Sequence, residues 1–284
     1  MSPGNPSPSR SPGPLAARLT IMARGNALRV LRQVSLGIVA LALLGGTWLG
    51  RARTTSWDET LWVTVYPVVA GDAAGTAKYV ESLTSKSFSP LTDFVAREAT
   101  RYGVGIEQPI RVDLGEPTGM PPLPPEAANP LSVMAWSLKL RWWTWRALAD
   151  QPGPAPDIRI FAVYHDPVDG MALPHSLGMK EGRIGIVHLF GSRRMRGSNR
   201  VIMTHELLHT LGATDKYDPA NNLPIFPEGY AEAERQPRYP QRYAEVMGGR
   251  IPTGPDAAEI PKSLKVTRVG PATAAELRWT DTDG

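Results

Sequence analysis

THELLHTLGATDKY, residues Thr204–Tyr217, decides how the chain is to be read. His205 and His209 stand four residues apart, about one helical turn. Both imidazoles therefore leave the same face of a helix and can reach one ion. Glu206 lies one step round, close to such an ion without binding it. Leu207, Leu208 and Leu211 make much of the remaining surface apolar, the mark of a buried helix with a low local dielectric. Gly212 comes three residues after the second histidine. A glycine there takes a left-handed conformation readily, stops the helix and turns the chain back. The next side chain able to ligate on the returning segment is Asp215, with Asp218 its neighbour.

Composition narrows the chemistry. With 284 residues and 42% hydrophobic content, the chain can build one packed domain with appendages. It has no cysteine, which excludes disulfides, cysteine zinc sites and a cysteine nucleophile. Any metal must be held by His, Asp or Glu. The formal net charge of +4 comes in part from the N-terminal segment. No basic cluster alternates with aromatics, so no nucleic-acid partner is expected.

Residues 1–32 are rich in Pro, Ser and Gly, carry arginines without acidic residues, and read as a disordered basic cytoplasmic tail. Residues 33–50, ending VSLGIVALALLGGTWLG, hold no charge and read as a transmembrane signal anchor. The arginine bias puts the N-terminus in the cytoplasm and everything after it outside the cell membrane. Residues 55–284 then form one α/β (α+β) domain. LWVTVYPVV, QPIRVDLG, DIRIFAVYH and GRIGIVHLFG read as strands. SPLTDFVAREATRYG reads as a helix capped by Ser89, and LSVMAWSLKLRWWTWRALAD as a long helix. Asn199 is expected to cap the helix that carries the motif, and PATAAELRW to form a short final helix.

HELLHTLGATD resembles the HExxHxxGxxH/D pattern of the metzincin metallopeptidases, in the variant with an aspartate third ligand seen in snapalysin-like enzymes. Metzincins also carry a methionine in a tight turn beneath the zinc. AEVMGGR offers Met247, followed by two glycines, at a suitable distance downstream. The resemblance covers roughly Asp157 to Trp279. It implies a catalytic domain with a small twisted sheet, an active-site helix and a Met-turn. It implies Zn²⁺ held by His205, His209 and Asp215, with Met247 as a structural floor. Glu206 is the implied base, taking a proton from an attacking water and returning it to the leaving amine. A substrate-binding edge strand just before the helix is implied too. GRIGIVHLFG fits that place, with Gly185, Ile186, Val187 and His188 pairing to a peptide or protein substrate by β-addition. Some metzincins place a tyrosine two residues after the methionine. Here that residue is Gly249, which leaves the role to Tyr217 or Tyr243. An activity optimum at neutral to mildly alkaline pH is expected, since histidine ligands protonate below that range.

Two other readings stay open. A gluzincin-type peptidase would take its third ligand from Glu228 or Glu232, in the proline-broken FPEGYAEAERQP. A zinc-stabilised binding or scaffold module would cut nothing, and would have no use for Glu206 as a free base. The tryptophans of the long helix, Trp136, Trp142, Trp143 and Trp145, either pack on the sheet with a ring or two exposed or rest in a membrane headgroup layer.

Overall fold

The apolar, β-branched and aromatic residues of LWVTVYPVV form β1 (Leu61–Val69), buried along most of its length. The structure is a computed structural model and describes residues 56–125, 129–168, 173–180 and 183–280. Helices α1 (Ala74–Glu81) and α2 (Ser89–Arg101) follow, then β2 (Ile110–Leu114), α3 (Pro130–Ala147) and β3 (Ile158–His165). Next come the short β4 (Leu177–Met179), β5 (Ile184–Phe190) and α4 (Arg196–Leu211), which bears the HELLH run. The remainder is loop with short pairings: β6 (Tyr217–Asp218) with β7 (Leu223–Pro224), β8 (Ala244–Glu245) with β11 (Thr267–Arg268), and β9 (Ile251–Gly254) with β10 (Ala257–Glu259). A single-turn helix, α5 (Pro271–Glu276), comes last.

The main sheet has the order β2-β1-β3-β5-β4. Its first four strands are parallel and β4 runs antiparallel to β5. Parallel strands need crossovers, and the helices that supply them cover both faces. On one face Val63, Val65, Ile160 and Val187 meet Phe94 and Val95 of α2 and Leu207 and Leu208 of α4 in the larger core. On the other, Tyr66, Phe161 and Ile186 meet Trp136 and Leu140 of α3. The result is three layers, helices–sheet–helix.

Local signals explain the element ends. Asn129 accepts the Ser132 backbone N–H at 2.9 Å while the Ser132 hydroxyl accepts that of Asn129 at 3.0 Å, a reciprocal cap that starts α3. In α2, Ser89 is already inside the helix and Phe88 is its N-cap, which corrects the expected cap. The motif helix starts at Arg196, three residues before Asn199. Asn199 is buried and joins helix to sheet instead: its amide donates to the Phe190 carbonyl at 2.8 Å and its carbonyl accepts the Phe190 N–H at 3.3 Å. On α3, Trp136 is buried and Trp143 packs edge-on to Phe161 with ring centroids 5.0 Å apart, whereas Trp142 and Trp145 stand 58% and 71% exposed.

Two expectations are corrected. No helix among the described residues is long and apolar enough to cross a membrane. The transmembrane helix expected at residues 33–50 lies outside the described residues, as does the tail at 1–32. The single-pass membrane placement built on them finds no support and is set aside. The second correction concerns the edge of the sheet. Gly185, Ile186, Val187 and His188 lie in β5, which pairs with β3 along its length and with β4 across Ile184–Ile186. The edge strand is β4, one place further out.

Phe161 pins α3 to the sheet, since it is fully buried between Tyr66, at 5.6 Å between ring centroids, and Trp143. Phe161→Ala should lower unfolding free energy in urea by ~3–5 kcal/mol. It should also red-shift tryptophan fluorescence in the native state as Trp143 gains water.

Candidate metal centre

Consecutive turns of α4 present His205 and His209, with Nε2 atoms 3.0 Å apart. Gly212 ends the helix at φ +109°, in the left-handed region expected of it. The returning chain brings Asp215 Oδ1 to 3.0 Å from His205 Nε2 and 3.1 Å from His209 Nε2. Three ligand atoms at roughly 2 Å from a tetrahedral ion stand roughly 3.3 Å apart, close to this spacing. His205, His209 and Asp215 could therefore hold one metal ion, and among the described residues no other group of three ligating side chains converges this way. Glu232 is committed to Arg242, its Oε1 accepting from Nε at 2.9 Å, and Glu228 lines a separate cavity with Tyr230 and Pro271. Neither joins the histidines.

The unshared ring nitrogens show how the donors are aimed. His205 Nδ1 lies 2.9 Å from the Val246 carbonyl and His209 Nδ1 lies 2.8 Å from that of Ala213. A carbonyl can only accept, so each Nδ1 carries the proton and each Nε2 offers its lone pair to the centre. Partial burial works against the Asp215 carboxylate, yet the two imidazoles beside it hold it well below the usual carboxylate range. Burial pushes the Glu206 carboxyl up, an effect that His205 and His209 partly offset. Glu206 is 7% exposed and its Oε2 has no hydrogen-bond partner among the described residues.

Met247 is fully buried in the same core as Leu207 and Leu208. Its turn holds both ligand segments by backbone bonds. The Val246 carbonyl takes His205, and the Met247 carbonyl accepts the Lys216 N–H at 3.0 Å, beside Asp215. Tyr217, with its ring 6.2 Å from that of His205, lines a cavity of about 200 Å³ together with Glu206, Asn222 and Arg250. Tyr243 lies under Arg268 at 4.0 Å and does not line that cavity.

Three supporting residues escaped the reading of the sequence. Glu245, two before Met247, is fully buried and accepts from the Met247, Gly248 and Gly270 N–H groups and the Thr273 hydroxyl. Lys216 is 4% exposed and its ammonium donates to both Glu276 oxygens at 2.8 and 2.9 Å and to Thr214. Glu276 also accepts the Thr214 N–H at 2.9 Å, so the pair grips both neighbours of Asp215. A charged residue among small apolar ones, as in Ala244-Glu245-Val246, was the available signal for the first. Nothing local announces a partnership across 60 residues for the second.

His188 takes no part in this centre. Ile184 and Ile186 face α3, and the two-residue alternation of β5 sends His188 the same way, opposite to α4. Its Nδ1 lies 2.8 Å from His165 Nε2, and burial, helped by His165, pushes its pKa down to about 4. His175 is exposed on the segment before β4.

No protein-family model matches the chain, and no curated protein matches it. Solved structures align with it at low similarity. Wild-type OgpA from Akkermansia muciniphila is 12% identical with a TM-score of 0.37, over 78% of this chain and 62% of that one. Catalytically inactive OgpA from the same organism, in complex with an O-glycopeptide (glycodrosocin) substrate, is 13% identical with a TM-score of 0.38, over 79% and 62%. A chaperone–substrate complex is 12% identical with a TM-score of 0.35, over 77% and 34%. The chain thus spans 62% of the length of the OgpA structures. Likeness at this level fixes neither activity nor substrate.

Asp215→Ala should weaken zinc binding, measured by competition with a chromogenic chelator, by more than ~100-fold, and Glu228→Ala should leave it unchanged. The Lys216–Glu276 pair makes a separate prediction. Burial alone would raise the Glu276 carboxyl, but Lys216 and Thr214 hold it below its ordinary value of 4.5. A depressed carboxylate stabilises the fold fully above its unfolded pKa and loses that contribution as pH falls through its folded one. Glu276→Gln should therefore lower Tm at pH 7 and flatten the acid limb of the Tm profile below about pH 4.5.

Proposed function

We propose that the chain is a zinc-dependent peptidase of the metzincin type. The observation that carries the reading is Glu206: a buried carboxylate with an unpartnered oxygen, one residue from the first histidine of a three-ligand cluster. A site that only stabilised the fold would close its coordination and would gain nothing from such a group. A zinc ion bound there supplies a Lewis acid for a scissile carbonyl and lowers the pKa of water towards about 7. Burial raises the affinity of Glu206 for a proton, which suits it to take one from the attacking water and return it to the leaving amine. Tyr217, beside His205 in the same cavity, would donate a hydrogen bond to the developing oxyanion.

Among the described residues the outer edge of β4 has no strand partner, and there an extended substrate would add a strand. Its distance from the ligands is set by Gly178. A Cβ there would lie 2.6 Å from His209 Cβ and would collide with the Glu206 carbonyl. The backbone of β4 therefore lies directly against the helix that carries the histidines.

Glu206→Gln should retain zinc and lower kcat/KM by ~10²–10⁴-fold on a peptide that the wild type cleaves, read by mass spectrometry of a proteome-derived peptide library. A chelator should abolish the same cleavage and added zinc restore it. A zinc-loaded wild type that cleaves nothing in such a library would overturn the peptidase reading in favour of a binding module.

A further inference from the structure

A groove of about 680 Å³ runs beside the metal centre. One wall is α3, through Val133, Met134 and Trp136, and the other is β4, Leu177 to Met179, with Lys180 just after it. His209 and the segment Gly212–Thr214 close its inner end, so groove and centre share a residue. Arg141 and Lys180 also line it. Two of the α3 residues that line the groove are apolar and open to water: Met134 is 57% exposed and Val133 41%. Apolar surface left uncovered in this way next to a reactive centre calls for a ligand.

The alternation of β4 says what that ligand is. Gly178 faces α4, while Leu177 and Met179 pack towards α3. A strand added to the free edge of β4 obeys the same two-residue period. Its side chains point in turn towards the metal helix and towards α3. Those directed to α3 meet Leu177, Met179, Val133 and Met134, an apolar surface from two elements.

We infer that α3 is a specificity element: it forms, with β4, a subsite for large apolar side chains of a peptide chain bound along the β4 edge. This inference rests on the peptidase reading above. It goes beyond it in making residues of α3, more than 60 positions before the motif, select the substrate.

The test is cleavage-site profiling of zinc-loaded full-length protein, wild type against Met134→Glu. Trp145→Ser, on the same helix but outside the groove, is the control. Wild type should enrich a large apolar residue at one fixed position relative to the cut. Met134→Glu should lose that enrichment and lower kcat/KM at least 5-fold for peptides with leucine or phenylalanine there, with little change for alanine. Tm and zinc content should match the wild type. An unaltered profile in Met134→Glu, with cleavage intact, overturns the subsite and leaves the peptidase reading standing. So does a change of oligomeric state by sedimentation in that variant without a change of profile, which would make the face a contact between copies. Absence of any cleavage by the wild type overturns both.

Discussion

Glu245 is a carboxylate with no access to water, and its two oxygens take four donors from the turn around Met247 and from the start of α5. Burying such a charge is costly, and the cost is met only while every donor stays aimed. The arrangement is therefore stiff. Each N–H that moved away would leave part of a buried anion uncompensated, at ~1–3 kcal/mol. What this stiffness fixes is the direction of two carbonyls. Val246 accepts from His205, and Met247 accepts from the backbone beside Asp215. A candidate ligand on a helix and the backbone beside another on a loop are thus oriented from one tight turn.

The second flank is held by opposite means. Asp215 sits on the rim, its side chain 44% exposed, on a segment without regular structure. An exposed loop carboxylate loses conformational entropy when it is held in place. Here part of that loss is already met: Lys216 and Thr214, on either side, are both bonded to Glu276. Together with the left-handed Gly212, this leaves Asp215 one route back to the histidines. Fixed supports on both flanks bring three ligand atoms to nearly equal separations, as a preorganised centre requires.

How much of this could be read from the chain depended on the range of the signal. The strand Leu61–Val69 and the helix around His205 announce themselves by composition and period, and both were legible, as was the turn at Gly212. β4 was not. It has three residues, Leu-Gly-Met, too few to show alternation, and it becomes a strand only because β5 offers it an edge and α4 leaves room for Gly178. The expected edge at Gly185–His188 failed for the same reason. Its sequence is that of a strand, but whether a strand has one neighbour or two is decided by the rest of the sheet. Asn199 has the chemistry of a cap and uses it on Phe190, since burial against the end of β5 makes that the better partner. Glu245, Lys216 and Glu276 act across tens of residues, and no local pattern encodes such pairings.

The position of Gly178 links the two halves of the site. Because β4 lies against α4, any strand added to β4 is held at a set depth relative to His209, whatever its side chains are. Only the backbone of β4 determines that depth, and a main-chain ladder is blind to sequence. Discrimination must then come from the face of β4 that does not touch α4, where Leu177 and Met179 look towards α3. In the proposed peptidase, the constraint that would place a peptide and the surface that would sort it lie on opposite faces of the same three residues. One face tolerates no change at Gly178. The other meets Val133 and Met134 on α3, which can vary without touching His205, His209 or Asp215, so in the proposed peptidase specificity and chemistry would be free to change separately.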